Sequence, residues 1–165
     1  MNDVRTKIVD TLRATQREGI ENVIDYMDRN GFYTGRCHKH HRYQGGLADH
    51  SWEVFQHALL LSKGDNDIDK DSLAICALLH DFCKCSGMCQ YGGHGRRSVR
   101  MLNDLGLHLS EEEFLAIRYH MGQHGRTMDA QRLKALNCKY RKYVHKADNM
   151  SSVLGWSKDF ISGRK

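Results

Sequence analysis

No proline occurs anywhere in the 165 residues, so no helix interior is broken by a missing backbone donor. No apolar run approaches the ~20 residues that a membrane-crossing helix needs. The opening Met1-Asn-Asp-Val-Arg-Thr-Lys7 is no secretory leader, and a cytoplasmic chain is expected. Lysine and arginine form no run. The net charge of +5 is spread thinly, which argues against duplex nucleic acid as a partner and suits small anionic substrates such as phosphates. The six cysteines are expected to be reduced thiols in such a compartment. Cys83-x-Cys85-x3-Cys89 lacks both the usual Cys-x2-Cys spacing and a second pair, so no structural zinc is expected there.

What is present is helical periodicity. With 40% hydrophobic and 27% charged residues, the chain reads as an ordinary globule, long enough for one core and too short for two comfortable domains. Apolar spacing predicts helices over about 3–14 and 16–29, the second carried by Ile20, Val23, Ile24 and Met27. A loop rich in glycine, histidine, arginine and tyrosine runs from Gly31 to Gly46. Leu47, His50, Val54, His57 and Leu61 form an inward stripe on a helix over about 47–62. A polar turn leads to a nearly apolar, central helix over about 70–85. Further helices are expected over about 94–105, 111–122, 129–136 and 138–160, the third of these four following Gly122-Gln-His-Gly125. Ser110 and Glu113 make a capping box for the helix over 111–122. Neither a strand pair nor an internal repeat is found. The fold class is all-α.

The most informative residues are His80 and Asp81. With 11 histidines and 14 aspartates, chance alone supplies about one such dipeptide; its company gives it weight. In order the chain offers His50, His80-Asp81, His94, His120 and Asp148, a set of imidazoles and carboxylates able to hold one or two divalent ions. Ala77, His80, Asp81 and Lys84 share one helix face at i, i+3, i+4, i+7, which places an ammonium where it meets a phosphate. Asp148 lies on the stripe Tyr140, Val144, Ala147, Asp148, Ser151. A carboxylate on so apolar a face needs a partner, and a metal ion is a good one. His120 follows Phe114 and Ile117 at helical spacing and faces the core.

On these residues the chain resembles the HD superfamily of metal-dependent phosphohydrolases. His40-His-Arg-Tyr-Gln-Gly-Gly-Leu-Ala-Asp-His50-Ser is similar to the first-ligand segment of many members. Leu78-Leu-His-Asp-Phe-Cys-Lys84 resembles their LLHDIGK block, and Val144-His-Lys-Ala-Asp148 their terminal block. The resemblance implies a single all-helical HD domain over 1–165, with N-terminal helices (1–36) packed on a metal-binding core (38–152). It assigns His50, His80, Asp81 and Asp148 to one ion, with His94 and His120 completing a dinuclear set bridged by Asp81; His124 is a second choice for His120. The ions are drawn from Mn, Fe, Co, Ni, Mg and Zn. The short gap from Asp81 to His94 leaves room for only a small substrate lid.

The expected activity is hydrolysis of a phosphate ester of a nucleotide or similar small molecule by a metal-activated hydroxide, with Asp81 and Lys84 catalytic. Lys84, Arg96, Arg97 and Arg118 are candidates to hold phosphates, and His41 and Tyr43 to line the pocket mouth. A homodimer is compatible with the sequence. Two other readings remain open: a di-iron oxygenase using the same six ligands, and a non-catalytic nucleotide-sensing module.

Overall fold

Side-chain caps open two of the helices that periodicity predicts, and left-handed glycines precede three others. A computed structural model describes residues 2–37, 39–86, 93–121 and 130–161. It contains α1 (Asn2–Ala14), α2 (Ile20–Arg29), α3 (Gly46–Leu61), α4 (Lys70–Leu79), a 3₁₀ turn over Phe82–Ser86, α5 (His94–Asp104), α6 (Glu111–Arg118), α7 (Ala130–Asn137) and α8 (Lys139–Ile161). No strand occurs among the described residues, and the fold is all-α. No described helix is long and apolar enough to cross a membrane. Residues 87–92, which include Cys89 and most of the expected lid, and residues 122–129, which include His124, lie outside the described residues.

Asp69 caps α4 by accepting the Ser72 backbone N–H at 2.8 Å. The Ser110–Glu113 capping box opens α6 in both directions, at 3.2 and 2.8 Å. Glu113 is fully buried and also takes the Arg17 guanidinium at 2.6 Å, tying α6 to the turn after α1. Between these caps α4 is the hub. Every residue from Leu73 to Leu79 is buried, and burying each of its leucines and Ile75 contributes about 1.5–3 kcal/mol. Around α4 lie α3, α6, α8 and α1; α3 packs chiefly on α8 and α4, while α5 packs on α6 and the 3₁₀ turn. Tyr140, Val144, Ala147, Asp148 and Ser151 are buried as their stripe predicts. In α3, however, the inward face turns through Ser51, Phe55 and Ala58, leaving His57 half-buried.

Three helix ends differ from the periodicity. The helix expected from about residue 16 starts at Ile20, because Gln16 (φ 50°) and Gly19 (φ 82°) both take left-handed backbone and turn the chain. The helix expected to run to residue 85 ends at Leu79. Two side chains divert its hydrogen bonds: His80 Nδ1 binds the Ala77 carbonyl at 2.8 Å, and Ser98 Oγ of α5 takes the Cys83 N–H at 3.1 Å. The backbone then tightens to 3₁₀, with Lys84 N–H on the Asp81 carbonyl at 2.9 Å. Likewise α6 stops at Arg118, since His120 Nδ1 takes the Ile117 carbonyl at 2.7 Å. Arg141 and His145 of α8 donate to the next carbonyls, those of Tyr119 and His120.

Gly19 carries a sharp test of the α1–α2 turn. A Cβ there would lie 2.3 Å from the Gly106 carbonyl oxygen. Left-handed strain and overlap with rigid backbone together make Gly19→Ala cost about 2–4 kcal/mol, measured as a lower urea midpoint at unchanged slope.

Candidate metal centre

The two interrupted helix ends are what build the site. By binding its own helix's carbonyl, His80 stands at the end of α4 with Nε2 turned inward; His120 repeats this at the end of α6. A carbonyl only accepts, so Nδ1 carries a proton in both rings, and in the neutral ring Nε2 bears the lone pair that a metal ion needs. His50, from α3, presents Nε2 to the same place. Its Nδ1 lies 3.0 Å from Ser151 Oγ, whose own proton goes to Glu53 Oε2 at 2.9 Å. Asp148 enters from α8 and His94 from the first turn of α5. His50, His80 and His120 are fully buried, Asp81 is 2% exposed and His94 9%.

Asp81 divides the donors into two sets. Its Oδ2 lies 3.4 Å from His80 Nε2 and 3.8 Å from His50 Nε2. Asp148 Oδ1 joins them, 3.2 Å from His50 Nε2 and 4.0 Å from His80 Nε2. Asp81 Oδ1 faces His120 Nε2 at 3.6 Å and His94 Nε2 at 3.7 Å, beyond hydrogen-bond reach. Those three atoms, Asp81 Oδ1, His94 Nε2 and His120 Nε2, are buried and have no hydrogen-bond partner among the described residues. Leaving three such groups unsatisfied is costly.

The donors fit divalent ions. Ligands 2.0–2.2 Å from one ion lie about 3.0–3.5 Å from each other, close to most of these separations. The His50 and His80 Nε2 atoms stand 3.3 Å apart with both Nδ1 atoms engaged elsewhere. Such a pair requires positive charge at its centre, from a proton or a metal ion. The donor set supplies imidazole nitrogen and carboxylate oxygen, which suit Mn, Fe, Co, Ni and Zn better than an all-oxygen cage would. Groups within 4.8 Å able to hold an ion include His50, His80 and Asp81, and separately Asp81, His94 and His120.

Electrostatics agree with the geometry. Burial works against the Asp81 carboxylate, but Lys84, His80 and His120 outweigh it and hold its pKa well below the usual range. Asp148 is lowered for the same reason, with burial opposed by His50 and His80. Burial disfavours charge on His80, yet Asp81 beside it raises its pKa. His94 is pushed down to about 4, chiefly by burial, and so offers a neutral nitrogen. Lys84 pairs with Asp81 through Oδ2; burial opposes its charge, and Asp81 more than restores it.

All six expected ligands and Lys84 therefore come together. The expected substrate residues do not form one group. His41 is fully buried, with Nε2 on Glu53 at 3.0 Å, so it does not line a pocket mouth: the loop folds it inward behind His50, their ring centroids 5.3 Å apart. Tyr43 is half-buried and donates its hydroxyl to Asp49 at 2.8 Å. Arg96 and Arg97 are exposed on the first turn of α5, and Arg118 stacks on the rings of Phe114 and Tyr119. Glu53, Ser151 and His40 surround His50 from behind; Ser151 lies on the inward stripe of α8 and His40 opens the segment before His50, but Glu53 carries no sequence label of its own. The spacing His50-x2-Glu53 is the one available hint, since i and i+3 share a helix face.

In comparison with protein families the chain matches the HD domain over residues 47–152. That span contains all six donors. No curated protein and no solved structure matches the chain.

Proposed function

The chain belongs to the HD domain family, a superfamily of metal-dependent phosphohydrolases, and from that premise we propose that it hydrolyses a phosphate ester. The substrate is a nucleotide or a similar small phosphorylated molecule. One ion position is formed by His50, His80, Asp81 and Asp148, and a second by Asp81, His94 and His120. The observation that carries this reading is the three buried atoms, Asp81 Oδ1, His94 Nε2 and His120 Nε2, that no group among the described residues satisfies, within clusters of donors able to hold an ion. Divalent ions held there would lower the pKa of water toward neutrality and offset negative charge on a phosphoryl group.

The chain's own residues supply the rest. Asp81 offers one oxygen to each position. Lys84 spends one ammonium proton on Asp81, and 18% of its side chain remains exposed, leaving donors for a phosphoryl oxygen. Arg96 and Arg97, just after His94, and Arg118, two residues before His120, are placed in the chain to hold further phosphates. The net charge of +5 favours an anionic substrate. A cytoplasmic location, with a homodimer as the assembly to check, belongs to the same proposal.

Elemental analysis followed by phosphate-release assays with Mn²⁺, Fe²⁺, Co²⁺, Ni²⁺, Mg²⁺ and Zn²⁺, in air and without oxygen, tests it. Release independent of oxygen is expected. Strict oxygen dependence would replace hydrolysis by di-iron oxygenase chemistry. A nucleotide bound but unaltered under every metal would indicate a sensing module. Lys84→Ala is expected to keep its bound metal while kcat falls by about 10²–10³, the usual loss for a positioned donor to a developing oxyanion.

A further inference from the structure

Behind His50 lies a second buried network that catalysis does not call on directly. Glu53, one turn along α3, collects three donors: Ser151 Oγ at 2.9 Å and His41 Nε2 at 3.0 Å on Oε2, and the Lys158 ammonium on Oε1. A carboxylate only accepts, so the proton directions follow from it. Ser151 gives its single proton to Glu53 and must therefore accept from His50 Nδ1 at 3.0 Å. His50 Nε2 is thereby left bare toward Asp81 and Asp148. On the other branch His41 donates through Nε2, so its Nδ1 accepts from His40 Nδ1 at 3.0 Å; His40 Nε2 then accepts from Ser152 Oγ at 3.0 Å.

The backbone is arranged to hold this network. His41 sits at φ 49°, a left-handed conformation costly for a residue with a side chain and kept only where the surroundings impose it. Two glycines make room for it. A Cβ on Gly46 would lie 2.0 Å from the His41 carbonyl oxygen, and one on Gly155 would lie 2.2 Å from His41 Nδ1. Arg42, the next residue, is anchored by its N–H to Asp159 at 3.0 Å. Loop 39–45, α3 and α8 are thus locked together around one carboxylate.

We infer that Glu53 is a positioning residue which, through Ser151, fixes the tautomer and orientation of His50 as a metal ligand, with His41 clamping Glu53 in place. The inference rests on the metal-site reading above. Partners of this kind, one bond removed from a ligand imidazole, typically change metal affinity by about 10–100-fold. Without Glu53 the Ser151 hydroxyl is released to donate to His50 Nδ1, which would move the imidazole proton to Nε2 and turn a ligand into a competitor. Lys158 meets the other carboxylate oxygen and is half exposed, so it contributes little to the relay.

The test is a double-mutant cycle read as Co²⁺ affinity and stoichiometry, with circular dichroism as the check on folding. Glu53→Ala and Ser151→Ala are each expected to weaken Co²⁺ binding by about 10–100-fold. The double variant should be no weaker than the worse single, because both break one chain. Lys158→Ala should stay within about twofold of wild type. If Glu53→Ala does not fold, Ser151→Ala with ¹⁵N-histidine NMR carries the test: the Nδ1–H signature of His50 should be lost. Wild-type Co²⁺ binding with unchanged affinity in Ser151→Ala or Glu53→Ala, or losses that simply add in the double variant, overturns the relay alone. A wild-type chain that binds no Co²⁺ overturns the metal site and the relay together.

Discussion

Asp81→Ala is expected to leave the protein with neither bound metal nor measurable turnover. The carboxylate stands between the two donor sets, Oδ2 toward His50 and His80, Oδ1 toward His94 and His120. Asp148 also lies near His80 and His120, but Asp81 is the acid that turns a separate oxygen toward each set. Loss of a single outer partner of a metal ligand costs about 10–100-fold; loss of a ligand shared by both positions removes the basis of each. The substitution also strands Lys84, whose charge is paired with Asp81 in a mostly buried setting, and an orphaned buried charge destabilises by about 3–5 kcal/mol. Asp81→Asn, similar in volume, leaves no cavity and keeps an amide oxygen for Lys84 to donate to, although the ammonium charge stays unpaired. It should fold better than Asp81→Ala and still bind no metal by elemental analysis. Full metal content and wild-type rates in Asp81→Asn would refute the assignment of this residue.

Much of this centre was legible in the sequence. Inward spacing placed His50 and Asp148 on buried faces, and the order of histidines and aspartates pointed to the six donors that the fold gathers. Helix ends were the least legible part. Periodicity reports which face a residue occupies, and it cannot report that an imidazole will take its own helix's carbonyl. His80 and His120 both do so, which ends α4 and α6 earlier than their apolar patterns suggest. The consequence is functional: the carbonyl bond at each terminus fixes the ring with Nε2 turned toward the site, whereas His50, inside α3, is held by Ser151 instead. His41 was misplaced for a related reason. A polar loop ordinarily runs over the surface, and only the left-handed turn allowed by Gly46 and Gly155 buries this one. The role of Glu53 is not legible in the sequence because the partners that define it, Ser151 and His41, come from α8 and from the loop before α3.

The second large effect comes from a residue that touches no ligand atom. Gly95→Ala is expected to remove one ion position and spare the other. A Cβ at Gly95 would stand 2.5 Å from the Arg118 carbonyl oxygen and 2.6 Å from that of Ile117. Both are backbone atoms, so no side chain can rotate away, and α5 must retreat from the end of α6 at a cost of about 1–3 kcal/mol. His94 adjoins Gly95 and moves with α5. The Ile117 carbonyl is also the one that orients His120, so the same collision strikes both imidazoles facing Asp81 Oδ1. His50, His80 and Asp148 come from α3, the end of α4 and α8, and are left in place. Elemental analysis should therefore give one ion per chain in Gly95→Ala where wild type gives two, matching His94→Ala. His80→Ala, by contrast, should lose the position shared with His50. Two ions retained in Gly95→Ala would show that the approach of α5 to α6 does not set the second position, and one ion in wild type would confine binding to the set around His50, His80 and Asp148.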